Sequence, residues 1–153
     1  MTGSRITVGP ADPYAPGPAA LLAQSHALMR AMFPAEANHF LGFEALTAPD
    51  IRFVAATEGE ATLGTGALAL RDGYAEVKSM FTAPEARGRG VADAILRHLI
   101  ALARTEGRPI LRLETGVGLD AAHRLYTRHG FRPCGPFGDY TAAPESLFYE
   151  RAD

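Results

Sequence analysis

Residues 85–92 of the chain read EARGRGVA and run straight into ADAILRHLIALAR. Glycine loses more backbone freedom on folding than any other residue, so Gly88 and Gly90 at an incipient helix imply a need for bare backbone. A helix N-terminus presents unpaired N–H groups and a partial positive charge. Glycines just ahead of it let a phosphate approach the backbone, and Arg87 and Arg89 would add donors at the mouth. Each hydrogen bond to a charged oxygen is worth roughly 1.5–3 kcal/mol, so three or four would hold a pyrophosphate. The same stretch also reads as a glycine-rich turn with solvated arginines, and spacing alone does not choose between the two.

Other chemistry-bearing patterns are weaker. GTGALA, at Gly64 to Ala69, matches a dinucleotide fingerprint, yet it lies inside a strand-like run that leads to a turn rather than a helix. No Gly-Lys-Ser or Gly-Lys-Thr occurs, which excludes a P-loop. The five histidines are scattered, with no i, i+4 pair and no Cys–His set, so no metal is expected. Cys134 is the only cysteine, which rules out an intrachain disulfide and reads as an ordinary thiol.

The elements that would position such residues follow from periodicity. Ile6 to Val8 reads as a short strand, and a proline-rich stretch, PADPYAPGP, follows it. Pro18 suits the first turn of a helix whose Leu22, His26, Met29 and Phe33 share one face, and Pro34 ends it. A second short helix is expected over Gly42 to Leu46. Three strand-like runs come next, Ile51 to Thr57, Thr62 to Leu70 and Tyr74 to Phe81, with Asp72-Gly73 as a hairpin turn. Val91, Ile95, Leu99 and Leu102 mark a long helix that stops near Gly107. Ile110 begins a short buried strand, Ala121 to His129 a further helix, and Ser146 a final strand. Alternation puts Glu76, Lys78 and Met80 on one face of the third run.

At 153 residues the chain fits one compact domain over residues 1–153. An apolar fraction of 47% and a charged fraction of 21% are those of an ordinary globular protein. A net charge of −2 argues against a general electrostatic grip on nucleic acid or anionic membrane. No apolar run is long enough to span a bilayer, and MTGSRITVGP lacks a secretory pattern, so a cytoplasmic protein is expected.

The segment Arg87-x-x-Gly90-x-Ala92 resembles the acyl-CoA pyrophosphate signature of the GNAT superfamily of N-acetyltransferases. A strand, EVKSMF, precedes it, a strand, LRLETG, follows its helix, and AAHRLYTRHGF resembles the family's late helix; the likeness covers roughly residues 50 to 150. GFRPCGPFGDY is similar to a bacterial subgroup of small-molecule acetyltransferases. The resemblance implies an α/β (α+β) fold: a mixed, mostly antiparallel twisted sheet of six to seven strands flanked by about four helices. It implies acetyl-CoA as co-substrate, a small primary amine attacking directly in a ternary complex, and a homodimer as a common assembly. A non-catalytic acyl-CoA sensor is the other function that an intact signature allows.

The implied roles fall on particular residues. Arg87, Gly88, Arg89, Gly90, Val91 and Ala92 would hold the pyrophosphate. The backbone of Met80, Phe81 and Thr82 would bind the pantetheine arm, with Met80 or Phe81 donating an N–H to the developing oxyanion. Tyr126 would protonate the departing sulfur, with Ala122 one turn earlier on the same face; the alternative is a tyrosine that merely packs there. Where many members carry an asparagine on the pantetheine, this chain has Leu119. An alkylamine with a pKa of about 10.4 is free in only about one molecule per thousand near neutral pH, a deficit of roughly 4 kcal/mol. A positioned base can recover it. Glu76 is the candidate, with Glu36, His26 and His39 as rivals, and pairing with Lys78 or an arginine as its alternative. Phe33, Glu36, His39 and Tyr140 are candidates for the acceptor pocket; Phe33 and Phe43 would otherwise be core.

Overall fold

The hairpin at Asp72-Gly73 organises the first half of the molecule. Gly73 takes φ +85, and the Arg71 N–H closes on the Tyr74 carbonyl at 2.9 Å. In the computed structural model, which describes residues 5–35 and 38–152, this turn joins β3 (Ala61–Leu70) to β4 (Ala75–Thr82). With β1 (Thr7–Pro10), β2 (Ile51–Glu58), β5 (Leu111–Gly116), β6 (Arg132–Cys134) and β7 (Ser146–Arg151), they form a sheet in the order β1-β2-β3-β4-β5-β7-β6. Every neighbouring pair is antiparallel except β4 with β5.

Alternation along the strands sorts two cores. Val54 and Leu68 face helix α2 (Val91–Thr105) and pack with Ile95, Leu96 and Leu99, while Phe53 and Ala67 face the other way, onto Leu22 of helix α1 (Pro16–Met32). Helix α3 (Asp120–Arg128) adds Leu125 and Tyr126 to the α2 core. The glycines of GTGALA belong to this packing. A Cβ on Gly64 would lie 2.8 Å from Val91, and one on Gly66 would lie 2.6 Å from Ile95, so α2 reaches the sheet only over bare backbone.

The mixed, mostly antiparallel α/β architecture is the one anticipated, with two differences of detail. The described residues form three α-helices rather than about four. The stretch expected to be helical from Gly42 makes only a 3-10 turn at Ala45–Thr47, because Ala48 precedes Pro49 and is held extended at φ −65, ψ 152. Strand β6, the seventh, had no place assigned to it from the sequence; it tolerates Pro133 because it lies at the sheet edge.

Two irregularities open the sheet. Thr65 opposes Phe81 and Ala67 opposes Lys78, so Ser79 and Met80 together face the single Gly66. Ser79 adopts φ +58 and its carbonyl accepts from Thr65 Oγ1 at 2.8 Å, the marks of a β-bulge. Met80 is thereby turned to the α2 side, its sulfur 3.1 Å from where a Gly66 Cβ would lie. Glu76 and Met80 therefore do not share a face, contrary to simple alternation. Second, β4 and β5 pair only at Ala75–Leu111 and Glu76–Arg112, then part.

Candidate active site

The parted strands leave the β5-facing edge of β4 without a ladder beyond Glu76. Ala75 donates its N–H to Ile110 at 2.9 Å on that side, and Ala83 donates to Leu63 on the other at 2.8 Å. Alternation back from Ala83 sends the Phe81 N–H toward β3 and leaves that of Thr82 facing the cleft. Met80 lies within the bulge. A cavity of about 170 Å³ occupies this opening, and Ser79, Met80 and Phe81 form one wall of it. The Ser79 hydroxyl is buried and, among the described residues, has no hydrogen-bond partner. A buried polar group left so is costly unless something completes it.

Between β4 and α2, Gly88 and Gly90 both take φ +80, and Gly90 is the N-cap of α2 with no side chain closing the helix. A Cβ added at either glycine would meet nothing within 4 Å. These are the features of a helix N-terminus open to an anion. Arg87, Gly88, Arg89 and Gly90 are exposed, whereas the Val91 side chain is fully buried against the core and Ala92 is half-buried, so both offer backbone rather than side chain. The Arg89 guanidinium donates from one nitrogen to Glu58 at 2.8 Å, a partner the sequence did not announce. Asp93, one turn into α2, accepts from Arg128 at 3.1 Å and His129 at 2.8 Å. Burial would raise the Asp93 carboxyl, but these bonds outweigh it and hold the group below its usual range. They fasten the start of α2 to the end of α3.

Helix α3 carries Tyr126, whose ring packs at 5.7 Å from Phe131 and 6.2 Å from Tyr149. Burial pushes its hydroxyl up to about 12, so the group stays protonated across the neutral range. Tyr126, Ala122 and Leu119 all line the cavity, so the helix meets the bulge across it. Packing and exposure to the cavity coexist at Tyr126.

The remaining candidates divide. Phe33 and His39 line the cavity, and Phe33 presses on the end of β5 so closely that a Cβ on Gly116 would stand 2.3 Å from its ring. Glu36 lies outside the described residues. His26 is buried, stacked 4.2 Å from Phe40, and depressed by that burial and by Arg30; it is a core histidine. Phe43 packs against the α1 core.

Glu76 lies behind the cavity wall. Its side chain is 4% exposed, accepts from the Tyr140 hydroxyl and from Lys78 Nζ at 3.3 Å, and has Arg71 at 3.8 Å. Tyr140 lies with it and not on the wall itself; burial, then the bond to Glu76, drives its hydroxyl far above its ordinary value. Lys78, the sole lysine of the chain, spends its donors on Glu76, on Tyr140 Oη at 2.8 Å and on the His39 carbonyl at 2.9 Å.

Sequence reasoning missed Glu114 and Ser146. His39 Nδ1 lies 3.1 Å from Glu114 Oε2, which also accepts from Ser146 Oγ at 2.8 Å. Alternation in LRLETG, with Leu111 and Leu113 in the α2 core, already placed Glu114 on the α1 side. Nothing local pointed to a partner 75 residues away. Among the described residues no three His, Cys, Asp or Glu side chains gather where a metal would be held.

Comparison with known proteins agrees with this geometry. The sequence profile of the Acetyltransferase (GNAT) family matches residues 21–131. An IAA acetyltransferase of Azospirillum brasilense is 37% identical over 148 residues, covering 95% of this chain and 97% of its own. A Klebsiella pneumoniae structure classed among acyl-CoA N-acyltransferases superposes with a TM-score of 0.79 at 28% identity, over 95% of this chain and 96% of that one. A GNAT acetyltransferase from Elizabethkingia anophelis, solved with acetyl-CoA bound, shares the fold at TM-score 0.70 and 20% identity, over 96% and 97% of the two chains.

Proposed function

This chain belongs to the GNAT family of acetyltransferases and takes its acetyl group from acetyl-CoA; from that premise we propose that it acetylates the primary amine of a small, partly apolar molecule by direct attack in a ternary complex. The observation that carries this reading is one cavity whose walls join the two halves of the reaction. Ser79, Met80, Phe81 and Tyr126 come from the cofactor side, and Phe33, His39 and Glu114 from the side of α1 and β5.

The open N–H groups at the start of α2, together with Arg87 and Arg89, hold the pyrophosphate. The Thr82 N–H and the bulged strand grip the pantetheine in ladder fashion. The Met80 N–H takes the charge that develops on the acetyl oxygen; Phe81 spends its own on β3. Fixed dipoles of this kind need no reorganisation during the reaction. Tyr126 gives its proton to the departing sulfur. Leu119 offers the pantetheine an apolar contact in place of an amide.

The acceptor side combines Met29, Phe33 and Phe40 with the carboxylates of Glu114 and Glu145. Among the described residues of the wall, Lys78 is the one permanent cation, and its donors are taken. An ammonium on an apolar body suits such a wall, and a free carboxylate does not. A cytoplasmic location fits a single unpaired cysteine and a substrate drawn from the acetyl-CoA pool. Calorimetric titration should give a micromolar dissociation constant for acetyl-CoA, on the order of −8 kcal/mol. Thiol release should then favour a phenylalkylamine over the amino acid with the same side chain. Preference for the amino acid would refute the acceptor class.

A further inference from the structure

His39 is held on three sides. Lys78 Nζ grips its carbonyl at 2.9 Å, Glu114 Oε2 meets its Nδ1 at 3.1 Å, and the Tyr140 ring stands edge-on at 5.2 Å and 75°. Glu114 is in turn fixed by Ser146 Oγ at 2.8 Å and is only 14% exposed. A carboxylate accepts, so Nδ1 carries the hydrogen, and in the neutral ring Nε2 then offers a lone pair. The His39 side chain is 34% exposed and lines the cavity. Glu76, by contrast, is sealed behind the wall with Tyr140, Lys78 and Arg71 as partners.

Resting on the amine-acetylation reading, we infer that His39 Nε2 removes the proton from the acceptor ammonium, that Glu114 and Ser146 position the ring, and that Glu76 serves as the anchor of Lys78 and Tyr140. The ammonium gives one proton to Nε2, which passes it to solvent. The freed lone pair forms the N–C bond to the acetyl carbon as the C–S bond breaks. The new amide nitrogen sheds a second proton, which balances the one that Tyr126 delivers to sulfur. A rigidly oriented imidazole at the acceptor end supplies the base that the sequence sought on β4.

The test compares His39→Gln and Glu114→Gln with the unaltered protein on two acceptors, an alkylamine and an aromatic amine that is already neutral at neutral pH. Acetyl-CoA affinity is followed by calorimetry. For His39→Gln, kcat/KM for the alkylamine should fall roughly 100- to 10,000-fold. It should fall less than tenfold for the aromatic amine, with acetyl-CoA affinity unchanged. Glu114→Gln, which leaves the ring without its orienting carboxylate, should lower kcat for the alkylamine more than for the aromatic amine while acetyl-CoA affinity stays unchanged. Lys78, Tyr140, Glu76 and Glu145 also face this corner, and they are the same in every variant compared. Equal losses for both amines would make His39 a packing residue and overturn the inference, as would an alkylamine rate within threefold of the unaltered protein. Should the unaltered protein bind acetyl-CoA yet acetylate no amine, the functional reading fails and this inference with it.

Discussion

Gly90→Ala separates the cost of the signature's backbone from its purpose. Gly90 sits at φ +80, ψ 15, where an alanine costs roughly 1–2 kcal/mol. For a chain of this size that corresponds to a drop in Tm of about 2–8 °C. A Cβ there meets nothing within 4 Å, so the free protein pays backbone strain and no clash. Gly73, at φ +85 with equally open surroundings, lies in the hairpin turn and offers a matched control. Both variants should therefore melt earlier by similar amounts. Only Gly90→Ala puts a methyl group where the phosphate must approach. Loss of a single charged hydrogen bond, roughly 1.5–3 kcal/mol, weakens acetyl-CoA about 10- to 150-fold. Thermal unfolding gives the first quantity and calorimetric titration the second. If Gly90→Ala binds acetyl-CoA as tightly as Gly73→Ala does, the open N-terminus of α2 is not the pyrophosphate site.

Two further perturbations address the interior. Tyr126→Phe should lower kcat while the acetyl-CoA dissociation constant barely moves, as measured by thiol release and calorimetry. Because the hydroxyl is raised to about 12, its ionisation should not limit the unaltered enzyme below about pH 10. Lys78→Met leaves Glu76 buried without its nearest cation and should destabilise by about 3–5 kcal/mol in urea unfolding, whereas Lys78→Met with Glu76→Gln should recover part of that loss. A double variant no more stable than the single one would deny that Lys78 compensates a buried charge.

How much of this was legible beforehand depends on distance along the chain. The open, glycine-flanked start of α2 was legible in EARGRGVA because helix termini and left-handed glycines are local matters, set by a few consecutive dihedrals. Tyr126 was placed by a motif of similar reach. The place of Glu76 relative to Met80 was misread for the opposite reason. Strict alternation put Glu76 beside Met80, and the bulge at Ser79, which turns Met80 toward α2, is not encoded in any short pattern of LRDGYAEVKSMF. The ion pair of Arg89 went unseen because nothing near it in sequence announces Glu58 across the fold.

By itself, then, the sequence determined the hairpin at Asp72-Gly73, the face of α2, the end of α1 before Pro34 and the left-handed glycines ahead of α2. All of these follow from backbone sterics and from side-chain periods of 2.0 and 3.6 residues. Tertiary structure alone decided where β4 and β5 part, which carboxylate is sealed in and which meets the cavity, and that His39 finds Glu114. Such pairings depend on which charged groups the packed sheet and helices bring together out of water, and desolvation, unlike periodicity, is a property of the whole fold.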